Sequence, residues 1–573
     1  MKLPKPKQAR EEKEAFCTAF EGIFPETGAK AWQITAADPL RVTGFPHIAP
    51  RAPRFLLDGI CSNAKSVFVN EKYLCILARE GDGDHLYLCD TSYALVRRIP
   101  LPSDGGWDGS SPVFGTWYDD KLYLPGCRAV VDTAVYRAGT MRHTSVSGTA
   151  YVDESELEPV LRVVFDTGVD LSAFVPGHCV QALLYPDGVL TRCTLRVRAN
   201  FVSNNKAYFY LEGEQLAGMG SIEDTPNITV YSGYPEFEGM LRCGDRMYGF
   251  LENRVYFSEV GEPTVFERGV GLQTDRWSSV LTLPDPACIT AGCVFKGQPL
   301  FFTTRGAVVL EGKESTPRSI VIPGVSPRMA HTVTVIGDEV YYAAGGCVYA
   351  FDGNDCRLVK SNVPALYEAR VGGTDGRRYW LLCGEGNTQV CAVWDPMQGI
   401  WNQCAEPAIC GGLQQLDCGV LTVQAYGGKA LPAMLGDPLQ APSPLARWGH
   451  CEGAELITDE WPHSFVLFAK EPLKRGELSP HTVLLEAEIA AGAELCVYVL
   501  YDTESGESAA GEIKKACLAG HPPQGAAQYR LQGGEGRRTL ALPCMPRRAK
   551  SWRVALCGSG EYTVYGIGSR KFV

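Results

Sequence analysis

The nine histidines are the first residues to consider for metal or acid–base chemistry. None of them forms an H-x-H or H-E-x-x-H motif, the spacings that bring two imidazoles to one zinc ion. His178 and His450 each precede a cysteine, but adjacent residues of a strand point to opposite faces and cannot form a dyad there. The 22 cysteines include no C-x-x-C pair, which favours reduced, buried thiols. We predict no metal and no cofactor.

Phosphate and sugar chemistry also lack a convincing motif. Glycine pairs such as Gly345-Gly346 lie inside predicted hairpins, and no G-x-x-x-x-G-K-[ST] or strand-linked G-x-G-x-x-G sequence occurs. Ser103-Asp104-Gly105-Gly106-Trp107 faintly resembles the Asp-box turn of sialidase-like proteins, but it occurs once and such turns are structural. Glycosidases need two carboxylates facing one pocket, which no pattern here indicates. We predict that the chain is not an enzyme.

The composition is that of a folded protein with many short strands. Hydrophobic residues make up 45% of the 573 residues and charged residues 21%, which is ordinary for about two to four globular domains. Glycine (62) and proline (37) are spread along the chain as turn signals. No apolar run approaches the roughly 20 residues of a membrane helix. The basic N-terminus is followed by acidic residues and not by an apolar segment, so we predict neither a signal peptide nor a membrane span.

One strand–turn–strand unit recurs between residues 56 and 440. Its central residues are separated by 50, 125, 53, 40, 38 and 42 positions, and they are Tyr73, Tyr123, Tyr248, Phe301, Tyr341, Tyr379 and Leu421. Four-stranded propeller blades repeat about every 40 to 50 residues. The sequence therefore predicts an all-β fold with a β-propeller of seven blades, although six blades and an additional hairpin would give the same pattern.

Three further segments flank or interrupt this repeat. The interval of 125 residues is too long for one blade and predicts a β module inserted over residues 140–236. After residue 440, new alternating strands predict a C-terminal β-sandwich over residues 441–573. Residues 1–55 form an N-terminal arm, in which Phe16, Phe20 and Ile23 recur at i, i+4 and i+7 and predict a short helix between Gln8 and Phe24.

Three aspartates occupy the same place in the repeat. Asp90, Asp352 and Asp395 each follow an apolar strand and precede a turn. An aspartate there can accept hydrogen bonds from the backbone two or three residues later. We predict that these residues fix turns and are not catalytic.

The C-terminal stretch is basic within an acidic chain. From Arg530 onward nine Lys and Arg residues face two Glu residues, so this stretch carries +7 and the remainder of a chain of net charge −11 carries −18. The candidate interaction residues are Arg547, Arg548, Lys550 and Arg553. On a strand, Arg548 and Lys550 would project from one face. The charges could protect an edge strand, dock on an acidic neighbouring subunit, or contact DNA.

Several segments resemble structural proteins of tailed bacteriophages and prophages. Gly44–Arg51 is similar to the segment that opens this family's propeller, and Asn253–Pro263 with Phe266 is similar to its aromatic strand and Gly-acid-Pro turn. Val393–Trp401 resembles its D-x-x-x-G-x-W hairpin. Arg547–Arg553 and Gly558–Ile567 resemble the closing strands of its sandwich.

The resemblance implies a virion component at the head–tail connection or in the tail, similar to tail hub and nozzle proteins. It implies a ring-like homo-oligomer, a hexamer, that contacts portal, adaptor or tail proteins and is synthesised in the bacterial host cytoplasm. Nucleic acid would matter only as the passing genome. The inserted module and the basic C-terminal segment depart from the family pattern. A carbohydrate-binding or carbohydrate-cleaving propeller acting on the host envelope, and a cytosolic protein-interaction propeller, remain alternatives.

Overall fold

A computed structural model gives the fold. The described residues are 12–20, 22–24, 28–38, 46–51, 53–90, 94–102, 107, 109, 113–141, 143–153, 160–165, 171, 174–177, 179–184, 191–203, 206–213, 216, 225–233, 237–266, 279–284, 286–312, 315–359, 368–385, 389–405, 409–416, 419–436, 455–458, 461–502, 510–521 and 526–572. Within them the fold is all-β, as predicted: strands dominate, and the helices are α1 (Ala510–Leu518) and two short 3₁₀ helices (Pro125–Cys127 and Pro327–Thr332).

The first strands of the chain join sheets that are completed much later in the sequence. They are β1 (Glu12–Cys17), β2 (Ile34–Asp38) and β3 (Phe55–Asp58). Two four-stranded antiparallel sheets follow, each a simple meander of consecutive strands. Sheet S1 contains β4 (Ala64–Val69), β5 (Leu74–Glu80), β6 (Gly83–Cys89) and β7 (Leu95–Pro100). Sheet S2 contains β8 (Thr116–Tyr118), β9 (Lys121–Leu124), β10 (Ala129–Asp132) and β11 (Arg137–Thr140).

A closed barrel interrupts the series of sheets. Its strands are β12 (His143–Asp153), β13 (Val160–Phe165), β14 (Cys179–Leu184), β15 (Thr191–Ser203), β16 (Lys206–Glu212) and β17 (Thr225–Gly233). They close in the order β12-β13-β16-β15-β14-β17 around an apolar core that includes Phe174 and Phe209. An ion pair between Arg196 of β15 and Glu262 connects the barrel to the sheet that follows it in the chain.

Five more sheets follow the barrel. S3 contains β18 (Gly239–Cys243), β19 (Arg246–Leu251), β20 (Arg254–Phe257) and β21 (Ser279–Thr282). S4 contains β22 (Ile289–Phe295), β23 (Gln298–Thr303), β24 (Ala307–Glu311) and β25 (Thr316–Ile320). S5 contains β26 (Thr334–Ile336), β27 (Glu339–Ala344), β28 (Cys347–Phe351) and β29 (Cys356–Val359). S6 contains β30 (Ala369–Thr374), β31 (Tyr379–Cys383), β32 (Val390–Asp395) and β33 (Ile400–Ala405). S7 contains β34 (Gln414–Leu416), β35 (Gly419–Tyr426), β36 (Lys429–Gly436), then β3, then β37 (Glu455–Thr458).

The inner and outer strands of a sheet differ in sequence and burial. Middle strands such as β31 are buried at all five positions, because both faces of the sheet are covered and a continuous apolar run is required. Outer strands such as β25 are largely exposed and polar. The recurring residues of the repeat fall on the second strand of each sheet, except for Tyr73, which immediately precedes β5.

The seven sheets form a closed circuit of shared apolar cores. Each sheet packs on the next one in sequence, and S7 packs on S1. Representative buried residues of the seven junctions are Leu77 and Leu122 (S1–S2), Tyr123 and Met247 (S2–S3), Phe250 and Phe301 (S3–S4), Phe302 and Tyr342 (S4–S5), Tyr341 and Tyr379 (S5–S6), Val393 and Val420 (S6–S7), and Val423 and Val67 (S7–S1).

Strand β3 closes this circuit from the other end of the sequence. It pairs antiparallel with both β36 and β37, so a segment that precedes S1 completes S7. Leu56 and Leu57 on β3 are fully buried. S6 and S7 also approach closely at their first strands: a Cβ on Gly373 of β30 would lie 2.5 Å from the Cβ of Leu413, the residue before β34. Glycine is required there because any side chain would collide.

The remaining strands form two sheets that share one core. They are β38 (Ser464–Phe468), β39 (Glu471–Pro472), β40 (Thr482–Ile489), β41 (Glu494–Asp502), β42 (Ala527–Gln532), β43 (Arg538–Pro543), β44 (Ser551–Ser559) and β45 (Tyr562–Phe572). One sheet has the order β1-β45-β40-β43, and the other has the order β2-β38-β44-β41-β42 with β39 also pairing with β44. Their common core contains Val483, Leu485, Val497, Trp552 and Val564.

The predicted N-terminal helix is wrong for the described residues. Glu12–Cys17 form strand β1, which pairs antiparallel with β45 over six positions. The free edge of β45 supplies backbone partners, and Phe16 packs against Gly566, where a Cβ would lie 2.6 Å from the ring. Phe20 and Ile23, which suggested helical spacing, are instead buried in the core of the C-terminal sheets.

Candidate functional site

The three predicted turn aspartates accept backbone hydrogen bonds within their own turns. Asp90 Oδ1 accepts from the N–H of Ala94 at 3.1 Å. Asp352 Oδ1 accepts from the N–H groups of Asn354 and Asp355, both at 2.8 Å. These two donors hold the pKa of Asp352 below its usual value, because they stabilise the charged carboxylate. Asp90, Asp352 and Asp395 belong to three different sheets, S1, S5 and S6.

Asp395 has an additional partner. Its Oδ1 accepts from the N–H groups of Met397 (3.0 Å) and Gln398 (3.1 Å), while its Oδ2 accepts from Arg378 Nε at 2.9 Å. Arg378 also pairs with Asp375 at 3.1 Å. Because Asp395 is only 7% exposed, this guanidinium balances a buried carboxylate and links β32 to the turn before β31.

The basic C-terminal residues do not share one strand. Arg547, Arg548 and Lys550 are exposed and lie in the loop between β43 and β44, so the predicted projection of Arg548 and Lys550 from one strand face is wrong. The prolines of this segment, Pro543 and Pro546, lack the N–H groups that a longer strand would need. Strand β44 begins only at Ser551.

Arg553 is not part of this surface. It is 2% exposed within β44, where it lies opposite Leu500 of β41. All residues of β44 from Ser551 to Gly558 are buried, because β44 is an inner strand with sheet neighbours on both sides. The prediction that Arg553 contributes to an interaction surface is therefore wrong.

A second loop brings further cations to the same place. The N–H of Leu473 donates to the carbonyl of Lys550, and the N–H of Ser479 donates to the carbonyl of Arg547, both at 2.9 Å. The N–H of Arg547 in turn donates to Ser479 Oγ at 2.8 Å. These bonds hold the exposed residues Lys474 and Arg475 beside the loop of residues 544–550. Sequence reasoning missed them, although the Lys-Arg-Gly turn was a visible signal.

One cavity lies where the first strands of several sheets meet. Its volume is about 460 Å³, and its lining includes residues of S2 to S7, among them Thr116, Gly239, Thr290, His331 and Gln415. Thr116 Oγ1 donates to the carbonyl of Met240, which ties S2 to S3, and Thr290 Oγ1 donates to that of Val325, which ties β22 to the segment after β25. Asp90, Asp352 and Asp395 do not belong to the described lining.

His331 is the notable titratable group in this cavity. Its ring is stacked on Phe114 with centroids 3.6 Å apart and planes inclined by 8°. The ring is open to the cavity, but the protein around it removes much of the water that would solvate a charged imidazole. This desolvation lowers the pKa of His331 from 6.5 to about 4. A neutral imidazole suits the stack, since a charged ring would lose hydration against Phe114. Glu238 is another titratable residue of the lining.

Two kinds of feature are not found among the described residues, a metal-ligand cluster and a membrane-spanning helix. Within these ranges no three His, Cys, Asp or Glu side chains lie close enough together to hold a metal ion. None of the helices in the described part of the chain is long and apolar enough to cross a bilayer.

Comparison with known proteins gives distant structural likenesses, and three of them are described below. No family model matches the chain, and no curated protein matches it. The computationally designed Ika8 protein is 12% identical (TM-score 0.35, covering 66% of this chain and 98% of that one). A putative exported protein from Bacteroides fragilis is 8% identical (TM-score 0.27, 67% and 95%). The phage phi92 endosialidase is 10% identical (TM-score 0.26, 75% and 73%). Scores this low carry no argument about function.

Proposed function

We propose that the chain is a non-enzymatic structural protein of a tailed-phage or prophage virion and acts as a rigid scaffold in a ring at the head–tail connection or in the tail. In this proposal the seven sheets are the blades of a β-propeller. The barrel of β12–β17 is a module inserted between two blades, and the two C-terminal sheets form a β-sandwich.

The closed circuit of seven shared cores carries the proposal. Each sheet is held by two neighbours, and β3 joins S7 to a segment that precedes S1 in sequence. Opening such a circuit would expose apolar surface on two sheets at once, which makes the array rigid. A rigid body can enter a ring without losing much conformational freedom on assembly.

Two further features support a role of this rigid array in assembly. The barrel and the C-terminal sheets add surface outside the seven-sheet array, and both are tied to it, the barrel by Arg196–Glu262 and the C-terminal part by a backbone bond from Ile23 to Trp401. The sequence motifs that resemble phage structural proteins lie in S6, around S3 and in the C-terminal sheets. The resemblance supports a virion location for the scaffold.

The test is the composition and structure of particles from the host that encodes the chain. Induced particles are purified, their proteins are identified by mass spectrometry, and the assembled chain is located by cryo-electron microscopy. We expect multiple copies arranged as a ring, six-fold in the hexamer proposed here. A chain absent from purified particles, present as a single copy, or built into a free-standing fibre would contradict the proposal.

The alternatives make different predictions in a parallel assay. The purified chain is incubated with capsule and cell-wall polysaccharides of the host, and released reducing ends are measured. The scaffold proposal predicts no release above buffer. Release that depends on the chain would favour a carbohydrate-cleaving propeller, whereas stable capture of host cytosolic proteins by a chain absent from particles would favour an interaction propeller.

A further inference from the structure

One end of the C-terminal sheets carries a cluster of exposed cations. We call the following five residues, on the two loops joined by backbone hydrogen bonds, the basic end: Lys474, Arg475, Arg547, Arg548 and Lys550. The guanidinium of Arg547 lies 5.0 Å from the ring of Tyr501, which helps to hold its direction.

The described carboxylates near the basic end each have a close partner, and Glu477 also accepts from the backbone N–H of Lys474 at 2.9 Å. Glu477 pairs with Lys571 at 2.8 Å, and Glu471 pairs with the same ammonium at 3.1 Å. Asp502 accepts from Ser551 Oγ at 2.6 Å and lies 3.6 Å from Lys470. Among the described residues, the five cations together with Lys571 and Lys470 outnumber these three carboxylates, which gives this end a local positive excess although the chain as a whole carries −11.

The opposite end of the same strands carries exposed acidic residues. We call the exposed residues Glu488, Glu535 and Glu561 the acidic end. Backbone hydrogen bonds join their turns, from Ala490 N–H to the carbonyl of Glu561 (2.9 Å) and from Gly534 N–H to that of Ile489 (3.2 Å). Three arginines lie in this region: Arg537 pairs with Glu486 (2.7 Å) and is also attracted by Glu488, Arg530 pairs with Glu494 (3.8 Å), and Arg538 donates to the carbonyl of Gln532 (3.2 Å). The glutamates Glu486, Glu488, Glu494, Glu535 and Glu561 outnumber these arginines, so this end keeps a negative excess.

The two ends are too far apart to neutralise each other within one molecule. Strands β44 and β45 run between them, and the nine residues of β44 span about 30 Å at about 3.3 Å per residue. Salt screens exposed charges over about 10 Å at 0.1 M. The unit therefore presents two separate and complementary charged faces.

We infer that the basic end of one copy docks on the acidic end of a second copy. Two different, complementary surfaces on one chain make a head-to-tail contact, and repeated head-to-tail contacts close into a ring when the rotation permits. This inference rests on the self-assembly in the proposed function and names the surfaces that perform it.

A protein partner fits the basic end better than a nucleic acid does. Met545 lies two residues before Arg547 and is 75% exposed, and Pro543 beside it is exposed as well. Methionine and arginine are enriched in protein–protein interfaces, where an apolar side chain can be buried between ion pairs. The phosphate groups of a nucleic acid would pair with the cations but would offer Met545 no apolar contact. A second copy supplies the required carboxylates at its acidic end.

The experiment uses two charge-neutralised variants of the full chain. The basic-end variant carries Arg475→Gln, Arg548→Gln and Lys550→Gln, and the acidic-end variant carries Glu488→Gln, Glu535→Gln and Glu561→Gln. A matched control neutralises three exposed arginines of the seven-sheet array, namely Arg97→Gln, Arg328→Gln and Arg377→Gln. All substitutions are at exposed positions, and circular dichroism and thermal melting verify that each variant folds.

Self-association is measured by sedimentation velocity over a range of concentrations. We expect the wild type and the control to associate at about 0.05 M NaCl and to dissociate at about 0.5 M NaCl, because exposed ion pairs are screened. Either end variant alone should self-associate at least about tenfold more weakly than the wild type. An equimolar mixture of the two variants should form one-to-one pairs and nothing larger, since each variant retains one native end.

Three results would overturn the inference. In the first, the wild type stays monomeric at low salt. In the second, the basic-end variant associates as strongly as the wild type. In the third, the wild type binds a labelled DNA duplex and the basic-end variant, which lacks the charges of Arg475, Arg548 and Lys550, does not. Failure of this contact is distinguishable from failure of the proposed function. Particles that contain a ring of the basic-end variant would reject the contact and keep the scaffold, whereas charge-dependent association of a chain absent from particles would reject the scaffold and keep the contact.

Discussion

At the scale of single residues, Asp395 combines a turn with a buried ion pair. One carboxylate oxygen accepts two backbone N–H groups and the other accepts from Arg378. We expect Asp395→Ala to lower the free energy of unfolding by about 2–4 kcal/mol, because it removes the turn bonds and leaves Arg378 with one fewer buried partner. Asp395→Asn should cost less, since the amide oxygen can still accept the turn bonds. Urea unfolding monitored by tryptophan fluorescence measures both; equal losses would show that the turn bonds contribute nothing.

His331 gives the folded protein a predictable dependence on pH. Its pKa falls from 6.5 to about 4 on folding, so the unfolded chain binds more protons between these values. This contribution to stability is complete above about pH 6.5 and is lost as the pH falls toward about 4. Replacement by Phe, which preserves a ring against Phe114, should flatten the pH dependence of the urea midpoint in this window. An unchanged slope would show that His331 does not titrate as described.

At the scale of elements, β1 shows why an apparently helical spacing can mislead. Phe16, Phe20 and Ile23 satisfy helical periodicity, yet Phe20 and Ile23 enter a core made by strands more than four hundred residues later. The partner of β1 is β45, and nothing local in the sequence identifies that edge. The hairpins of S1 to S7 were predictable because their hydrogen-bond partners are neighbours in sequence, whereas β1 and β3 depend on distant ones.

Gly568 tests the attachment of β1. A Cβ at this position would collide with the carbonyl oxygen of Ala15 and with the Phe16 ring. Gly568→Ala should therefore loosen β1 and increase amide hydrogen exchange across Glu12–Cys17, while exchange in S1 to S7 stays unchanged. Gly511→Ala in α1 is the control, because no heavy atom lies within 4 Å of its added Cβ. Equal protection of Glu12–Cys17 in both variants would contradict the close packing of β1 on β45.

At the scale of the whole molecule, the structure differs most from the sequence predictions in the set of basic residues that lie on one surface. The basic residues after Arg530 were visible in the sequence, but the loop that adds Lys474 and Arg475 is recognisable only from the hydrogen bonds between the two loops. Burial removes Arg553 from the same group, since β44 lies inside its sheet. A run of charged residues in a sequence shows only which charges the chain contains. The fold determines which of these residues lie on the same surface.

The closed circuit of sheets predicts cooperative unfolding across distant positions. Leu57 lies on β3 at the S7–S1 junction, and Leu310 lies on β24 at the S3–S4 junction. Both are nearly or fully buried, so Leu57→Ala and Leu310→Ala should each lower the free energy of unfolding by about 2–5 kcal/mol. Because each junction supports its neighbours around the circuit, both cavities should shift the same calorimetric transition to lower temperature.

Val321→Ala is the matched control for these cavities, because Val321 is fully exposed and its truncation creates no void. Its transition should coincide with that of the wild type. If Leu57→Ala instead split the transition in two, with Leu310→Ala affecting only one part, the sheets would unfold independently. A linear row of sheets would behave in that way, since only the sheets next to a cavity lose support, whereas in a closed circuit the strand that joins S7 to S1 couples every junction to the others.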